Sequence, residues 1–165
     1  MVNHVHYRIS GSTVDELRTQ MNRQGYTDAS GHHWDAYTDW HVSWSYPYSV
    51  ADEKCTTGPI ESSVAITFTF PVWNAPAGTL PEIVDKWDDY MASLEVHENG
   101  HKEIAIAAAH EVVDTLEALP AYPSCNDLEQ AADGAARNVF QQYRKQEEIY
   151  DQTTDHGATQ GVSFP

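Results

Sequence analysis

The sequence predicts an α+β fold, with a small antiparallel sheet packed on one long helix and a C-terminal helix completing the core. Two segments of the N-terminal half alternate between apolar and polar residues, as strands with one buried face do. A stretch of about 40 residues with no interior proline follows, and a further helical segment comes after Pro123. The chain has 165 residues and no internal repeat, so residues 1–165 are expected to form a single domain.

The first elements follow from alternation and capping. His4–Ser10 alternates like a short strand. Thr13 and Glu16 are spaced as a capping box, which predicts a helix through about Arg23. Gly25–Gly31 is then expected to be a loop.

Two longer strands are predicted by strict alternation. In Thr38–Tyr46 and in Ser62–Phe70 apolar residues recur at every second position, so each strand should turn one face to the core. The apolar face of the first strand consists of Trp40, Val42, Trp44 and Tyr46. The stretch between the two strands, which includes Cys55, is expected to be a loop.

One long helix is expected between Thr79 and Pro120. Thr79 and Glu82 are spaced as a second capping box, and Pro81 between them is tolerated in a first helical turn. Pro120 then ends the helix, because its ring prevents continuation.

A last helix is expected after Pro123. Either Asn126 or Asp127 can cap its first turn, and the helical pattern runs to about Tyr150. The final 15 residues or so are expected to form a tail that is at least partly ordered.

Three ionisable residues interrupt the apolar face of the long helix. Drawn at about 100° per residue, this face contains Ile83, Trp87, Tyr90, Met91, Leu94, Ala105, Ala108, Val112 and Leu116. His97, Glu98 and His101 fall inside the same stripe. Burying a carboxylate and two imidazoles is costly unless something compensates them, and a metal ion would do so.

These three residues belong to the motif HExxH. Residues four apart lie one turn apart on the same helix face, so His97 and His101 can bind one zinc ion. Glu98 then lies near the open position of the metal and is expected to act as general base. Gly100 costs the helix roughly 1 kcal/mol relative to alanine, so we expect a strand or loop to approach closely there.

A catalytic zinc ion usually has three protein ligands, and His156 is the best candidate for the third. It follows a helix that can fold back against the long helix, and Asp155 beside it can orient it. The other candidates are His41, Glu129 and Asp133. His110 is excluded, because it lies about 180° round the helix from His101 and roughly 13 Å along it.

The charge of the chain excludes some partners. The formal net charge is −16, so nucleic acids and anionic membrane surfaces would be repelled. No apolar stretch approaches the roughly 20 residues that a membrane span needs. We therefore expect no nucleic acid and no membrane span, and the sequence predicts no oligomeric state.

The two cysteines, Cys55 and Cys125, lie far apart without a CxxC motif, which argues against a zinc–thiolate site. They are expected to form one long-range disulfide or to stay as two free thiols. Polar residues near the start interrupt any signal-peptide core: Asn3, His4, His6 and Arg8. The protein is thus expected to be cytosolic or exported with its signal peptide removed, and the acidic charge favours export.

Several sequence blocks spread over nearly the whole chain carry a family resemblance: Tyr7–Thr13, Ala36–Trp40, Trp44, Phe70–Trp73, His97–His101, Ser124–Cys125, Tyr150–Asp151 and His156–Gly157. Through them the chain resembles a bacterial family of uncharacterised secreted proteins described as zinc-dependent proteases. The resemblance implies a zincin-like active-site helix, a secreted or periplasmic protein and a disulfide between Cys55 and Cys125. Because the family's description rests largely on HExxH, the resemblance implies the fold and the metal more than the reaction.

The prediction is a zinc metallopeptidase that hydrolyses peptide or protein substrates, with Glu98 as general base. The expected ligands of Zn²⁺ are His97, His101 and His156. His41 or Tyr37 is expected to stabilise the oxyanion, and an exposed strand edge to hold the substrate in extended form. Two alternatives stay open: a non-catalytic zinc-binding interaction domain with a closed four-ligand site, and a zinc amidase acting on a non-protein substrate such as cell wall.

Overall fold

The computed structural model describes residues 1–164, and it confirms the α+β class. The helices are α1 (Val14–Gln24), α2 (Pro81–Glu117) and α3 (Cys125–Thr154). The strands are β1 (Val2–Ile9), β2 (Tyr26–Thr27), β3 (His33–Trp34), β4 (Tyr37–Ser45), β5 (Tyr48–Ala51), β6 (Lys54–Thr57) and β7 (Glu61–Trp73). A short 3₁₀ turn covers Ala158–Gln160. In residues 1–164, none of the helices is long and apolar enough to cross a membrane.

The main sheet has the strand order β1-β7-β4, and the pairing of β1 with β7 is parallel. Val2 lies opposite Ile66 and Ile9 lies opposite Trp73. The predicted antiparallel sheet is therefore wrong for this pair. Alternation within a strand is the same for both directions, whereas the long connection between β1 and β7, which contains α1, permits the crossover that parallel strands need.

Two short hairpins occupy regions that were expected to be loops. β2 pairs antiparallel with β3, and β5 pairs antiparallel with β6. Cys55 therefore lies in a strand, and its N–H donates to the carbonyl of Tyr122 at 2.8 Å while the Tyr122 N–H donates back at 2.8 Å. These strands are short and lack an apolar face, so alternation does not reveal them.

The first two helices begin in different ways. Thr13 and Glu16 form the predicted capping box of α1. Thr79 lies two residues before Pro81, the first residue of α2, so it is not placed to form the predicted box, and its hydroxyl donates to the carbonyl of Pro76 at 2.8 Å. Helix α2 begins at Pro81, whose ring is tolerated in the first turn.

The cap of α3 is Ser124, so the prediction of Asn126 or Asp127 is wrong. The hydroxyl of Ser124 accepts the N–H of Asp127 at 3.1 Å and donates to its carboxylate at 2.7 Å. A serine accepting the amide three residues later satisfies one of the free N–H groups of a first helical turn. At its other end α3 continues to Thr154, one turn further than predicted.

Residue contacts group the chain into two compact units, and α2, α3, β4 and β7 each contribute residues to both. The disulfide unit consists of Met1, Trp40–Ala65 and Glu103–Ile149. The HExxH unit consists of Val2–Asp39, Ile66–Lys102 and residues 150–164. The single domain stays a prediction.

The disulfide unit has a core of small and aliphatic side chains from α2 and α3. Its buried members are Val112, Leu116, Ala132, Ala136 and Val139. Partly buried aromatic residues pack against them, including Trp44 and Phe140, whose ring centroids lie 5.6 Å apart. Cys55 and Cys125 form a disulfide, which confirms the pairing that the family resemblance implied.

The HExxH unit buries the first part of α2 and the end of the tail. Phe164 packs against Tyr90 with ring centroids 5.0 Å apart, and its carbonyl accepts from Arg18 Nη2 at 2.9 Å. Arg18 also pairs with Asp35 at 2.7 Å. The tail up to Phe164 is therefore anchored by apolar packing and by a hydrogen bond from Arg18, which Asp35 holds in place.

Candidate metal centre

The HExxH unit brings together three side chains that could hold a metal ion: His97, His101 and Asp151. Their ligand atoms lie within 4.8 Å of one another. Oδ1 of Asp151 lies 3.3 Å from Nε2 of His97 and 3.1 Å from Nε2 of His101. The two imidazoles come from consecutive turns of α2, and the carboxylate comes from the last turn of α3.

The chemistry of this donor set fits a zinc ion. An unprotonated imidazole nitrogen and a carboxylate oxygen are both electron-pair donors, so three such atoms facing one another repel unless a proton or a metal cation lies among them. Two histidines and one carboxylate form a ligand set used at catalytic zinc. His97 is only 5% exposed, so water alone compensates little of this repulsion.

Tyr150 packs against α2 at Gly100, beside His97 and His101. Its ring stacks on His97 with centroids 5.1 Å apart and meets His101 edge-on at 5.1 Å. Its hydroxyl donates to the backbone carbonyl of His97 at 3.1 Å. A side chain at position 100 would overlap the tyrosine ring. The predicted close approach at Gly100 is thus present, although a helix side chain makes it rather than a strand or loop.

The chain reverses direction immediately after α3 and returns to His97. Asp155, His156 and Gly157 are all left-handed, with φ of 49°, 50° and 85°. A β-carbon on Gly157 would lie 3.0 Å from Cγ of His97, so this position favours glycine for both its dihedral angle and its space. The following turn places Oε1 of Gln160 at 3.0 Å from Nδ1 of His97.

Glu98 is buried beside the three donors, with only 4% of its surface exposed. The hydroxyl of Thr38, in β4, donates to its Oε2 at 2.6 Å. Burial raises the pKa of the Glu98 carboxyl above its usual range, while the Thr38 hydrogen bond and the two histidines act in the opposite direction. The Glu98 carboxyl therefore has a hydrogen-bond donor in Thr38, and its raised pKa favours the protonated form.

The pKa of Asp151 is shifted in the opposite direction to that of Glu98. Burial opposes its ionisation, but the neighbouring His101 and His97 side chains, at 3.1 and 3.3 Å, outweigh this and lower the pKa of the carboxyl below its usual range. Asp151 is therefore an ionised acceptor, the state in which a carboxylate binds a cation.

His156, the predicted third ligand, lies near this group but outside it. Its side chain is 49% exposed, and its Nδ1 lies 4.0 Å from Oδ1 of Asp151. Its ring packs on Trp34 with centroids 4.7 Å apart. The other candidates, His41, Glu129 and Asp133, are exposed residues of the disulfide unit.

Asp151 was missed because the last helix was expected to end at about Tyr150. The structure extends α3 to Thr154, so Asp151 lies on a helix and not in the tail. The available signal was the block Tyr150–Asp151, which already contributed to the family resemblance. Tyr37, a candidate for oxyanion stabilisation, stacks on Tyr26 with ring centroids 3.8 Å apart, and its role stays a prediction.

Comparison with known proteins gives a family and no described function. No curated protein and no solved structure matches the chain significantly. Residues 4–157 match the family DUF922, described as a bacterial protein of unknown function. The matched range contains His97, Glu98, His101 and Asp151, and it ends before Gln160. The chain therefore belongs to the DUF922 family of bacterial proteins of unknown function.

Proposed function

We propose that this protein is a zinc-dependent metallopeptidase with a zincin-like active-site helix. One observation carries the proposal: the two histidines of HExxH converge with Asp151, and Glu98 lies buried beside them in the same helical turn. Asp151, and not His156, is the third ligand in this proposal. The zinc ion, when bound, polarises a scissile carbonyl and lowers the pKa of water.

Glu98 acts as the general base. Thr38 already donates to Oε2 of its carboxylate, which leaves Oε1 to accept a proton from the attacking water. The same carboxyl then passes this proton to the nitrogen of the leaving amine. Because burial favours the protonated form of Glu98, it holds the proton between the two steps more readily than an exposed carboxylate does.

Two features favour a catalytic over a purely structural site. The group contains three donors, as catalytic zinc sites do, whereas closed structural sites have four. A general base would also have no role in a structural site, yet burying Glu98 is costly. The disulfide supports a location in an oxidising compartment, either secreted or periplasmic.

Elemental analysis of purified protein tests the metal. We expect about one zinc per chain in the wild type, and loss of zinc in His101→Ala and in Asp151→Asn. His110→Ala is the matched control, because His110 lies exposed on the same helix and should leave the zinc bound. His156→Ala should also retain zinc. Loss of zinc in His156→Ala but not in Asp151→Asn would restore His156 as the third ligand.

Hydrolysis is tested separately with Glu98→Gln. This variant should keep its zinc and lose all cleavage of an unstructured protein such as casein. Mass spectrometry of the products measures the cleavage. Cleavage of peptidoglycan amides by the wild type, with casein untouched, would identify a zinc amidase instead. Zinc binding with cleavage of neither substrate would favour a non-catalytic zinc domain.

A further inference from the structure

A closed ring of hydrogen bonds connects His97, Tyr150 and Gln160. The Tyr150 hydroxyl donates to the backbone carbonyl of His97 at 3.1 Å. Gln160 Nε2 donates to the Tyr150 oxygen at 3.1 Å. Gln160 Oε1 lies 3.0 Å from Nδ1 of His97, which closes the ring.

The donor and acceptor roles in this ring follow from the backbone carbonyl of His97, which can only accept. The Tyr150 hydroxyl lies 3.1 Å from the His97 carbonyl and 3.4 Å from Oε1 of Gln160, and we assign its only proton to the nearer acceptor. The tyrosine oxygen is then free to accept the amide N–H of Gln160, which turns Oε1 of Gln160 towards the imidazole. Since an amide oxygen only accepts, Nδ1 of His97 must carry the proton.

We infer that Gln160 is a positioning residue that holds His97 with its proton on Nδ1 and its Nε2 electron pair directed at the metal. The inference rests on the proposed zinc site. It gives the imidazole the orientation that metal-binding histidines usually receive from a partner at their second nitrogen. Nε2 is also the atom that faces Asp151, at 3.3 Å.

The segment that carries Gln160 is seated against α2 by two glycines. A β-carbon on Gly157 would lie 3.0 Å from Cγ of His97, and one on Gly161 would lie 2.8 Å from Oγ of Ser93. Both glycines have positive φ, 85° and 96°. The turn can therefore lie directly on the helix that holds His97, which fixes the position of the Gln160 amide.

The test compares zinc affinity, measured by competition with a chelator, in variants that keep or remove the acceptor. Gln160→Met has a similar length and no strong acceptor, and it should weaken zinc binding by about 10–100-fold. Gln160→Glu keeps a carboxyl oxygen for Nδ1 and should restore most of the affinity. Gln130→Met, an exposed residue of α3, is the control and should bind zinc like the wild type.

Nitrogen-15 NMR of the zinc-loaded wild type tests the tautomer without any substitution. We expect the His97 proton on Nδ1 and the metal on Nε2. A proton on Nε2, or equal zinc affinity in Gln160→Met and the wild type, would overturn the role of Gln160 alone. A wild type that binds no zinc would refute the proposed function itself, so the two failures are distinguishable.

Discussion

Substitution of Gly100 by alanine tests how tightly α2 and α3 are packed at the candidate metal centre. In an exposed helix this change stabilises a protein by about 1 kcal/mol, because alanine has the higher helix propensity. Here the new methyl group would overlap the hydroxyl and ζ carbon of Tyr150 and lie 2.7 Å from Cε1. Favourable carbon–carbon contacts require about 3.5–4.0 Å, so the ring must move by more than about 1 Å.

Such overpacking costs about 1–3 kcal/mol. After the gain in helix propensity, Gly100→Ala should lower the free energy of unfolding of the metal-free protein by roughly 0–2 kcal/mol. Gly134 is the matched control, since it also lies in a helix and a β-carbon there would have no neighbour within 4 Å. Gly134→Ala should raise stability by about 1 kcal/mol. The difference in free energy of unfolding between Gly100→Ala and Gly134→Ala then gives the cost of packing the new methyl group against Tyr150.

The same movement should weaken zinc binding by at least about 10-fold, because Tyr150 donates a hydrogen bond to the carbonyl of His97 and directly precedes Asp151, the proposed third ligand. Urea unfolding measures the two stabilities, and chelator competition measures the affinity. Equal stabilisation by Gly100→Ala and Gly134→Ala, with unchanged zinc affinity, would refute the close packing of Tyr150 on α2.

Replacing both Cys55 and Cys125 by serine removes a crosslink between residues 70 apart in sequence. Because the unfolded chain regains the entropy that the crosslink removed, the free energy of unfolding in urea should fall by about 4 kcal/mol. A decrease below about 1 kcal/mol would contradict this prediction. Thr38→Val leaves Glu98 Oε2 without its hydrogen-bond donor and should cost the metal-free protein about 1.5–3 kcal/mol at neutral pH. Because the Thr38 hydrogen bond lowers the Glu98 pKa, its removal raises that pKa further, so the cost should shrink in acid, where the carboxyl is protonated in both proteins. A loss of stability independent of pH would argue that Thr38 acts through packing alone.

Local patterns in the sequence predicted the elements that carry most of the site. The spacing of prolines predicted the extent of α2, and its periodicity placed His97 and Glu98 on the buried face, where the structure has them. Both depend on contacts within a few residues, which the sequence order determines directly. The alternation in Thr38–Tyr46 likewise predicted β4 and its half-buried face.

Other features depend on contacts between residues distant in sequence. The parallel pairing of β1 with β7 is one, because a strand's alternation does not reveal its partner's direction. The third side chain of the candidate metal site is another: Asp151 joins His97 and His101 only because α3 extends a further turn and Tyr150 packs into the space left by Gly100.

The sequence by itself thus determined the motif, the helix that presents it and the burial of its charged residues, because helix geometry brings residues four apart onto one face. The tertiary structure decided which group completes the donor set, which side chain holds Glu98 and which amide faces His97. Those partners, Asp151, Thr38 and Gln160, lie 50 or more residues from the motif. Only packing in three dimensions brings them within hydrogen-bond distance of it.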